Sequence, residues 1–342
     1  METSQFLGLT LGIESSCDDT SLCVLRGDSQ ILCLKRVSQA DLHAEFGGVV
    51  PEIAARGHLE AIFPLLQEVL KESQVLLSDI DLFAATAGPG LIGSLLVGFH
   101  MGKTLALMSQ KPFVAVHHLE AHFCANYLEQ EIVYPAVGLL VSGGHSSLYF
   151  LREPGVYELI GESRDDAVGE VYDKVGRELG LGVNAGPVVD RIAGSHSGKC
   201  ELVLTPPMLH SGNFDFSFSG LKTAALRACQ DGFSKEDICY ALQKAVVEVL
   251  LKKTLKARKD TKAKSVVLAG GVAANSQLRA SFLQASLKGQ FVLSVPSLRL
   301  CTDNGAMVAR AGLERYLRYG PDSLSTQAFS RFPLHDYKGS KI

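Results

Sequence analysis

Apolar and polar positions alternate along the chain in blocks that predict alternating strands and helices. Residues 7–13 and 21–25 are apolar runs separated by the polar stretch 14–20, which predicts two strands joined by a turn. Apolar residues at 53, 54, 59, 62, 63, 66, 69 and 70 have helical spacing, with a kink expected at Pro64. Residues 81–87 form a short strand ending at Gly88-Pro89-Gly90. A helix should follow, in which Gly98 and Gly102 let another element approach closely, either within the fold or from a partner. A strand at 114–116 then leads into a helix at 117–127. This succession is that of an α/β protein.

The second half restates the opening. Residues 136–141 are apolar, Ser142-Gly143-Gly144-His145-Ser146 is a tight polar turn, and 148–151 is apolar again. Two such hairpins suggest an internal duplication. Further on, the pattern predicts an amphipathic helix at 236–259, a strand at 265–268 meeting Gly270-Gly271, and a helix at 275–287. It ends with a strand at 291–295 and a helix at 302–317, with Thr302 or Asp303 near its N-cap. The organisation expected is a first lobe over 1–130, a second over 131–335 with a helical insertion near 165–235, and a tail at 336–342.

Composition bounds the function. The 342 residues, 46% apolar, are too many for one small core and too apolar for disorder. With 36 acidic and 33 basic side chains the net charge is -3, so no overall field attracts polyanions, although a local basic patch stays open. The first residues show no basic region of the kind that opens a signal peptide. Residues 91–108 are apolar but carry His100 and Lys103, which favours a buried helix over a membrane span. Eight cysteines without a Cys-x-x-Cys pair read as buried thiols of a reducing cytosol.

The sharpest chemical feature is His117-His118-Leu119-Glu120-Ala121-His122. His118 and His122 stand four apart on an expected helix, so both rings project from one face and could share a metal ion. They could equally be a capping and a packing histidine. Glu120 lies on the other side of the helix, so the zinc-protease arrangement of a glutamate beside the metal is absent. Asp303 could complete a two-histidine, one-carboxylate set suited to Fe(II) or Zn(II), or simply cap a helix. Ser142-Gly143-Gly144 and Gly270-Gly271 could offer backbone N–H groups to a nucleotide, in a cleft between lobes, or be plain turns. Asp173 and Asp190 flank a glycine-rich stretch where a carboxylate could bind a ribose. Seven basic residues in 252–264 form either a solvated helix end or a phosphate contact.

Taken together the motifs resemble one family. They are Ile13-Glu14-Ser15-Ser16-Cys17-Asp18-Asp19-Thr20, His43-Ala44 to Pro51-Glu52, Thr86 to Leu91, His117 to His122, Leu140 to His145, Asp215 to Thr223, Ala269 to Val272 and Cys301 to Gly305. Their order is similar to that of the bacterial tRNA N6-adenosine threonylcarbamoyltransferases, the TsaD family, over residues 8–335. The resemblance implies a two-lobed actin/Hsp70/sugar-kinase-like (ASKHA) fold with duplicated mixed sheets. It implies transfer of threonylcarbamoyl from threonylcarbamoyl-adenylate to N6 of adenosine 37 in tRNAs reading codons that start with A. It also implies a divalent metal, Fe(2+) or Zn(2+), on His118, His122 and Asp303.

The same resemblance maps the adenylate to Leu140, Val141, Ser142, Gly143, Gly144, Asp173, Gly186 and Asn275, with Asp190 beside them. Asp19, in the first hairpin turn, is expected as a helper near the reacting centre. Leu140 stands where archaeal and eukaryotic relatives carry a tyrosine ligand, which favours the bacterial branch. Ala185 stands where glycine is usual. The implied partners are a paralogous TsaB-like subunit on the N-terminal lobe, a TsaE-like P-loop ATPase and tRNA, in the cytoplasm. A metalloprotease and a small-molecule kinase or ATPase of the same fold are the alternatives.

Overall fold

The computed structural model describes residues 6–337, which divide into two units, 6–130 with 302–337, and 131–301. In the first unit the order is β1 (Leu9–Glu14), β2 (Asp19–Arg26), β3 (Gln30–Ser38), α1 (Ala40–Ala44), α2 (Pro51–Ser73), β4 (Leu82–Gly88), α3 (Ile92–Ser109), β5 (Phe113–His117) and α4 (His118–Cys124). The sheet runs β3-β2-β1-β4-β5. β1 pairs antiparallel with β2 and parallel with β4. Its apolar side includes Leu11, Ile13, Leu22, Phe83, Phe99 and Phe113.

The second unit continues with β6 (Ala136–Val141), β7 (Ser146–Glu153), β8 (Val156–Glu162), α5 (Val168–Glu178), α6 (Gly186–Gly194), α7 (Ser219–Gln230), α8 (Lys235–Thr261), β9 (Ser265–Ala269), α9 (Ser276–Gly289), β10 (Val292–Ser294) and α10 (Leu298–Cys301). Its sheet runs β10-β9-β6-β7-β8, the order of the first sheet repeated. β6 pairs antiparallel with β7 and parallel with β9, as β1 does with β2 and β4. The expected duplicated α/β architecture is therefore present, with α5, α6 and α7 forming the helical stretch between β8 and α8.

The central strands read clearly because they are buried on both faces, so their sequences are continuous apolar runs. The outer strands β3 and β8 escape the apolar pattern because most of their side chains are not buried. α2 runs unbroken through Pro64, where the pattern suggested a kink. Within α3, Gly98 packs against Ser15 and Gly102 against Ala85 and Phe113, so both glycines serve internal packing. α3 is long and apolar enough to cross a membrane by length and composition, yet its Leu95, Phe99 and Met101 are buried in the unit.

The second lobe does not extend to residue 335. α11 (Gly305–Tyr319) belongs to the first unit, where it packs on β1, β2 and β4. The cause is close backbone approach. A Cβ on Gly12 would lie 2.1 Å from the Gly305 carbonyl oxygen, and one on Gly305 would lie 2.7 Å from Cys23 N. The Arg315 guanidinium then pairs with Glu120 at 3.1 Å, both side chains about 95% buried. The expected tail also packs at its start: Tyr337 donates its O–H to the Ala115 carbonyl at 2.9 Å. The rest of that tail, 338–342, lies outside the described residues.

Candidate functional site

In the first unit three expected residues meet. His118 opens α4 directly after β5, and His122 follows one turn later. Asp303 lies just before α11, whose N-cap is Asn304, accepting from Met307 N–H at 2.9 Å. Thr302 and Asp303 lie near the N-cap as expected, but the reading of Asp303 as the cap itself is corrected, and its carboxylate is left for other work. Its Oδ1 stands 3.6 Å from His118 Nε2 and 3.2 Å from His122 Nε2. The two imidazoles are 4.7 Å apart, nearly edge to face.

Glu14, at the buried end of β1, supports this group. His118 Nδ1 lies 3.1 Å from Glu14 Oε2, and Ser16 Oγ is 3.2 Å from the same nitrogen. Thr86 donates its hydroxyl to Glu14 Oε2 at 2.7 Å, and Ser16 N–H donates to Oε1 at 2.6 Å. In the neutral ring a carboxylate on Nδ1 fixes the proton there and leaves Nε2 as the lone-pair nitrogen facing Asp303. Burial pushes the Glu14 carboxyl up, but His118 and Ser16 outweigh it and hold it below its ordinary value. Burial lowers His118 while Asp303 and Glu14 raise it, and the carboxylates prevail, placing it at about 9. Asp303 is held well below the carboxylate range, because the two histidines outweigh burial.

His122 decides whether this group suits a cation. It is 1% exposed, and neither Nδ1 nor Nε2 makes an aligned hydrogen bond. A buried imidazole whose Nδ1 has no partner among the described residues, and whose Nε2 has only the unaligned Asp303 carboxylate at 3.2 Å, costs folding energy unless something occupies one of them. Two imidazoles and a carboxylate within 4.8 Å match the donor set of Fe(II) or Zn(II).

Asp19 begins β2, beside this group. Its Oδ2 is 3.4 Å from Arg36 NH1, and Arg36 NH1 donates to Thr302 Oγ1 at 2.7 Å. Burial raises the Asp19 carboxyl to about 6 against the opposing effects of Ser38 and Arg36. The Cys17 thiol, in the same turn, is pushed far up by burial and the Asp18 charge, so it stays protonated and is no nucleophile. Glu120 faces away and holds Arg315, which removes the protease arrangement. Glu14 and Arg36 were not singled out as site residues from sequence. A glutamate closing an apolar strand was the available signal for the first. Arg36 lies in β3, an element that the pattern did not mark.

A second histidine group lies in the other unit: His196, Cys200 and Asp237, again within 4.8 Å. Here the capacity is filled. His196 Nε2 lies 3.0 Å from Asp237 Oδ1, Nδ1 accepts from Gly198 N–H at 2.9 Å, and the ring stacks on Tyr240. Asp237 is in the first turn of α8, exchanging hydrogen bonds with the N-cap Ser234. This group finishes a helix end, where a carboxylate is favoured.

The expected nucleotide residues of the second unit gather at one end of its sheet. The turn after β6 is closed by Ser142 N–H donating to the His145 carbonyl at 2.8 Å. It abuts α5, whose Gly169 N–H donates to the Ser142 carbonyl at 3.2 Å. Leu140 and Val141 are fully buried, whereas Gly143 and Gly144 are exposed. Gly270 adopts φ +90°, and a Cβ there would lie 2.4 Å from the Val141 carbonyl, so the β9 turn requires glycine.

Asp190, on the α6 helix that Gly186 opens, accepts from Ser276 N–H at 2.9 Å and its hydroxyl at 2.8 Å. Asn275 accepts from Leu278 N–H at 2.9 Å and donates to Gln243 at 2.7 Å. Both therefore build the start of α9. Asp173 is half-buried on α5. Ala185 has helical φ and ψ and packs into the space left by Gly176, so the usual glycine is not needed for the backbone here.

The basic run at 252–264 is largely engaged. Lys253 is buried and donates to Ser211 Oγ at 2.8 Å, while Lys252 and Lys256 pair with Glu248 and Asp260. Lys259, Lys262 and Lys264 are exposed.

Residues 30–310 match the family model for TsaD, tRNA N6-adenosine threonylcarbamoyltransferase. Curated proteins of that name are similar over most of their length. One from Persephonella marina is 47% identical, covering 91% of each chain. One from Burkholderia ambifaria is 46% identical, covering 96% of this chain and 98% of its own. Among solved structures, full-length HypF in its phosphate- and nucleotide-bound form superposes with a TM-score of 0.57 at 16% identity, over 92% of this chain and 56% of that one. The Acidaminococcus fermentans (R)-2-hydroxyglutaryl-CoA dehydratase component A gives 0.55 at 15% identity, over 90% and 98%. These two share the fold.

Proposed function

The chain belongs to the TsaD family of tRNA N6-adenosine threonylcarbamoyltransferases, and on that premise we propose how its residues serve the transfer. The reaction joins a threonylcarbamoyl group to N6 of an adenosine in tRNA, and the chain is a transferase. The donor in this reading is threonylcarbamoyl-adenylate, and the acceptor is adenosine 37 of tRNAs reading codons that begin with A. The new bond forms between N6 and the carbamoyl carbon, the anhydride C–O bond breaks, AMP departs, and N6 loses one proton.

His118, His122 and Asp303 would hold one divalent ion, Fe(2+) or Zn(2+). When bound, such an ion supplies Lewis-acid stabilisation to a carbonyl or phosphate oxygen. Glu14 keeps His118 in the tautomer that offers Nε2. Asp19, raised to about 6, is ionised at neutral pH yet basic enough to take the N6 proton. In the second unit the exposed Gly143 and Gly144 would offer N–H groups to the adenylate beside the start of α5.

The observation that carries this reading is the convergence of both histidines on Asp303 with neither ring nitrogen of the buried His122 in an aligned hydrogen bond. The test is Asp303→Ala. The variant should lose its metal and its transfer activity; retention of both would overturn the assignment.

A TsaB-like subunit would dock on the first unit, where Leu59 and Phe63 of α2 and Leu96 of α3 are exposed. A TsaE-like P-loop ATPase completes the expected assembly. tRNA would use local basic groups such as Lys259, Lys262 and Lys264, consistent with a net charge near zero. The setting of this reading is cytoplasmic.

A further inference from the structure

We propose that Arg36 binds the carboxylate of the threonylcarbamoyl group, an inference that rests on the function proposed above. A threonylcarbamoyl group carries the α-carboxylate of threonine, so the moiety being moved is an anion whatever its leaving group. The first-unit group that would receive it is rich in acids. Glu14, Asp19 and Asp303 act on one another or on a shared histidine, and Asp18 adds a fourth charge. The ion proposed on His118, His122 and Asp303 offsets part of that charge, and an entering carboxylate gains from a further fixed cation facing it.

Arg36 stands where such a cation is needed. It lies on the edge strand β3, in register with Ser21, two positions from the Asp19–Ser38 pair. Neighbouring side chains on a strand point to opposite faces. Lys35 turns to α2, where its amine pairs with Glu68 at 3.1 Å and Glu72 at 2.7 Å. Arg36 takes the other face and reaches Thr302, the residue before Asp303, and Asp19. Its charge is felt at Asp303, where it helps to keep the carboxylate ionised.

The guanidinium is only partly used. NH1 makes the contacts to Thr302 and Asp19, whereas Nε and NH2 make no hydrogen bond to another described residue. The side chain is 44% exposed, so those donors can be reached from solvent. A guanidinium has five N–H donors in a planar fork that matches a carboxylate with two parallel bonds. The NH1 contacts hold the fork in place, and Nε with NH2 forms the edge left for an incoming carboxylate. Lysine at this position would supply charge without the fork.

The test uses the full chain in the assay that supports wild-type transfer. Two donors are compared, threonylcarbamoyl-adenylate and an analogue in which 1-amino-2-propanol replaces threonine, so that only the carboxylate is missing. Arg36→Gln should lower kcat/KM for the natural donor roughly ten- to hundredfold, mainly through KM, as loss of a charged hydrogen-bond pair implies. With the analogue the same variant should stay within about twofold of wild type. Arg36→Lys should recover part of the loss, because charge returns without bidentate geometry.

Calorimetric titration of both donors without tRNA should show the same contrast in the absence of turnover. Equal loss with both donors would make Arg36 a mere support for Asp19 and Thr302 and would overturn the proposal. No loss with either would overturn it as well. A wild-type chain that binds and transfers neither donor would overturn the functional reading and this proposal with it.

Discussion

Each half of the molecule carries a five-stranded sheet of the same order and a cluster of histidine and carboxylate, yet the two clusters differ in kind. In the first unit, His118 and His122 converge on Asp303, and the His122 nitrogens have no aligned partner. In the second, both His196 nitrogens are satisfied and Asp237 is tied to a helix N-cap. Residue type and spacing in space are nearly the same. What separates the proposed metal site from a helix cap is unfilled bonding capacity held in a buried place, and that is set by neighbours. Asn304 takes the capping duty that Asp303 would otherwise perform, whereas Ser234 and Asp237 share theirs.

The largest effect should come from setting His122→Ala against His196→Ala. The first should abolish stoichiometric metal and cut transfer by on the order of a hundredfold or more, since even residues behind the ligands are worth 10- to 100-fold. The second should leave metal content at one per chain. Metal analysis of both purified variants checks this, and equal metal loss would erase the distinction between the clusters.

Next comes Glu14→Gln. The amide keeps the volume but weakens the hold on His118 Nδ1, so metal affinity should fall roughly 10- to 100-fold while the fold survives. A competition titration against a chelator measures it. No change would mean that Asp303 alone orients the ring.

These expectations also mark how far the sequence could be read. The duplicated hairpins, the central strands and the i, i+4 histidines were legible because burial on both faces and helical spacing leave one-dimensional patterns. β3 and β8 were not, since a strand half in solvent mixes short apolar stretches, such as Ile31 to Leu34, with charged and polar side chains. The return of α11 to the first unit was hidden because it depends on two glycines, Gly12 and Gly305, almost three hundred residues apart. Asp303 was found by its neighbours in a motif, but nothing local distinguished ligand from cap. Asp190 and Asn275, expected at a nucleotide, also hold the start of α9, a structural duty that no local motif announced.

A change of pH should separate the clusters more gently. In the metal-free chain His118 sits at about 9, raised because Asp303 and Glu14 outweigh its burial. Below that value a metal must displace a proton, so apparent affinity should climb about tenfold per pH unit from near neutrality and level off as pH passes 9. The same raised value means that the His118 proton stabilises the metal-free fold at acid and neutral pH, and that this stabilisation is lost as pH rises through 9. Titrations at pH 7, 8 and 9 test the slope, and a flat profile would place the ligating proton elsewhere.

The smallest effect is the most discriminating about the caps. Asn304→Ala and Ser234→Ala each remove an N-cap acceptor, from α11 and α8 respectively. Each should cost about 1 kcal/mol of stability in denaturant unfolding. Only Asn304→Ala should also weaken metal binding. Without Asn304, the free N–H groups of α11 need an acceptor, and the adjacent Asp303 carboxylate is the nearest residue in sequence able to supply one. A carboxylate drawn into capping is lost to His118 and His122. If both variants bind metal as wild type does, then Asp303 is held in place by the histidines themselves, and the division of labour between Asn304 and Asp303 is not what keeps the first cluster open.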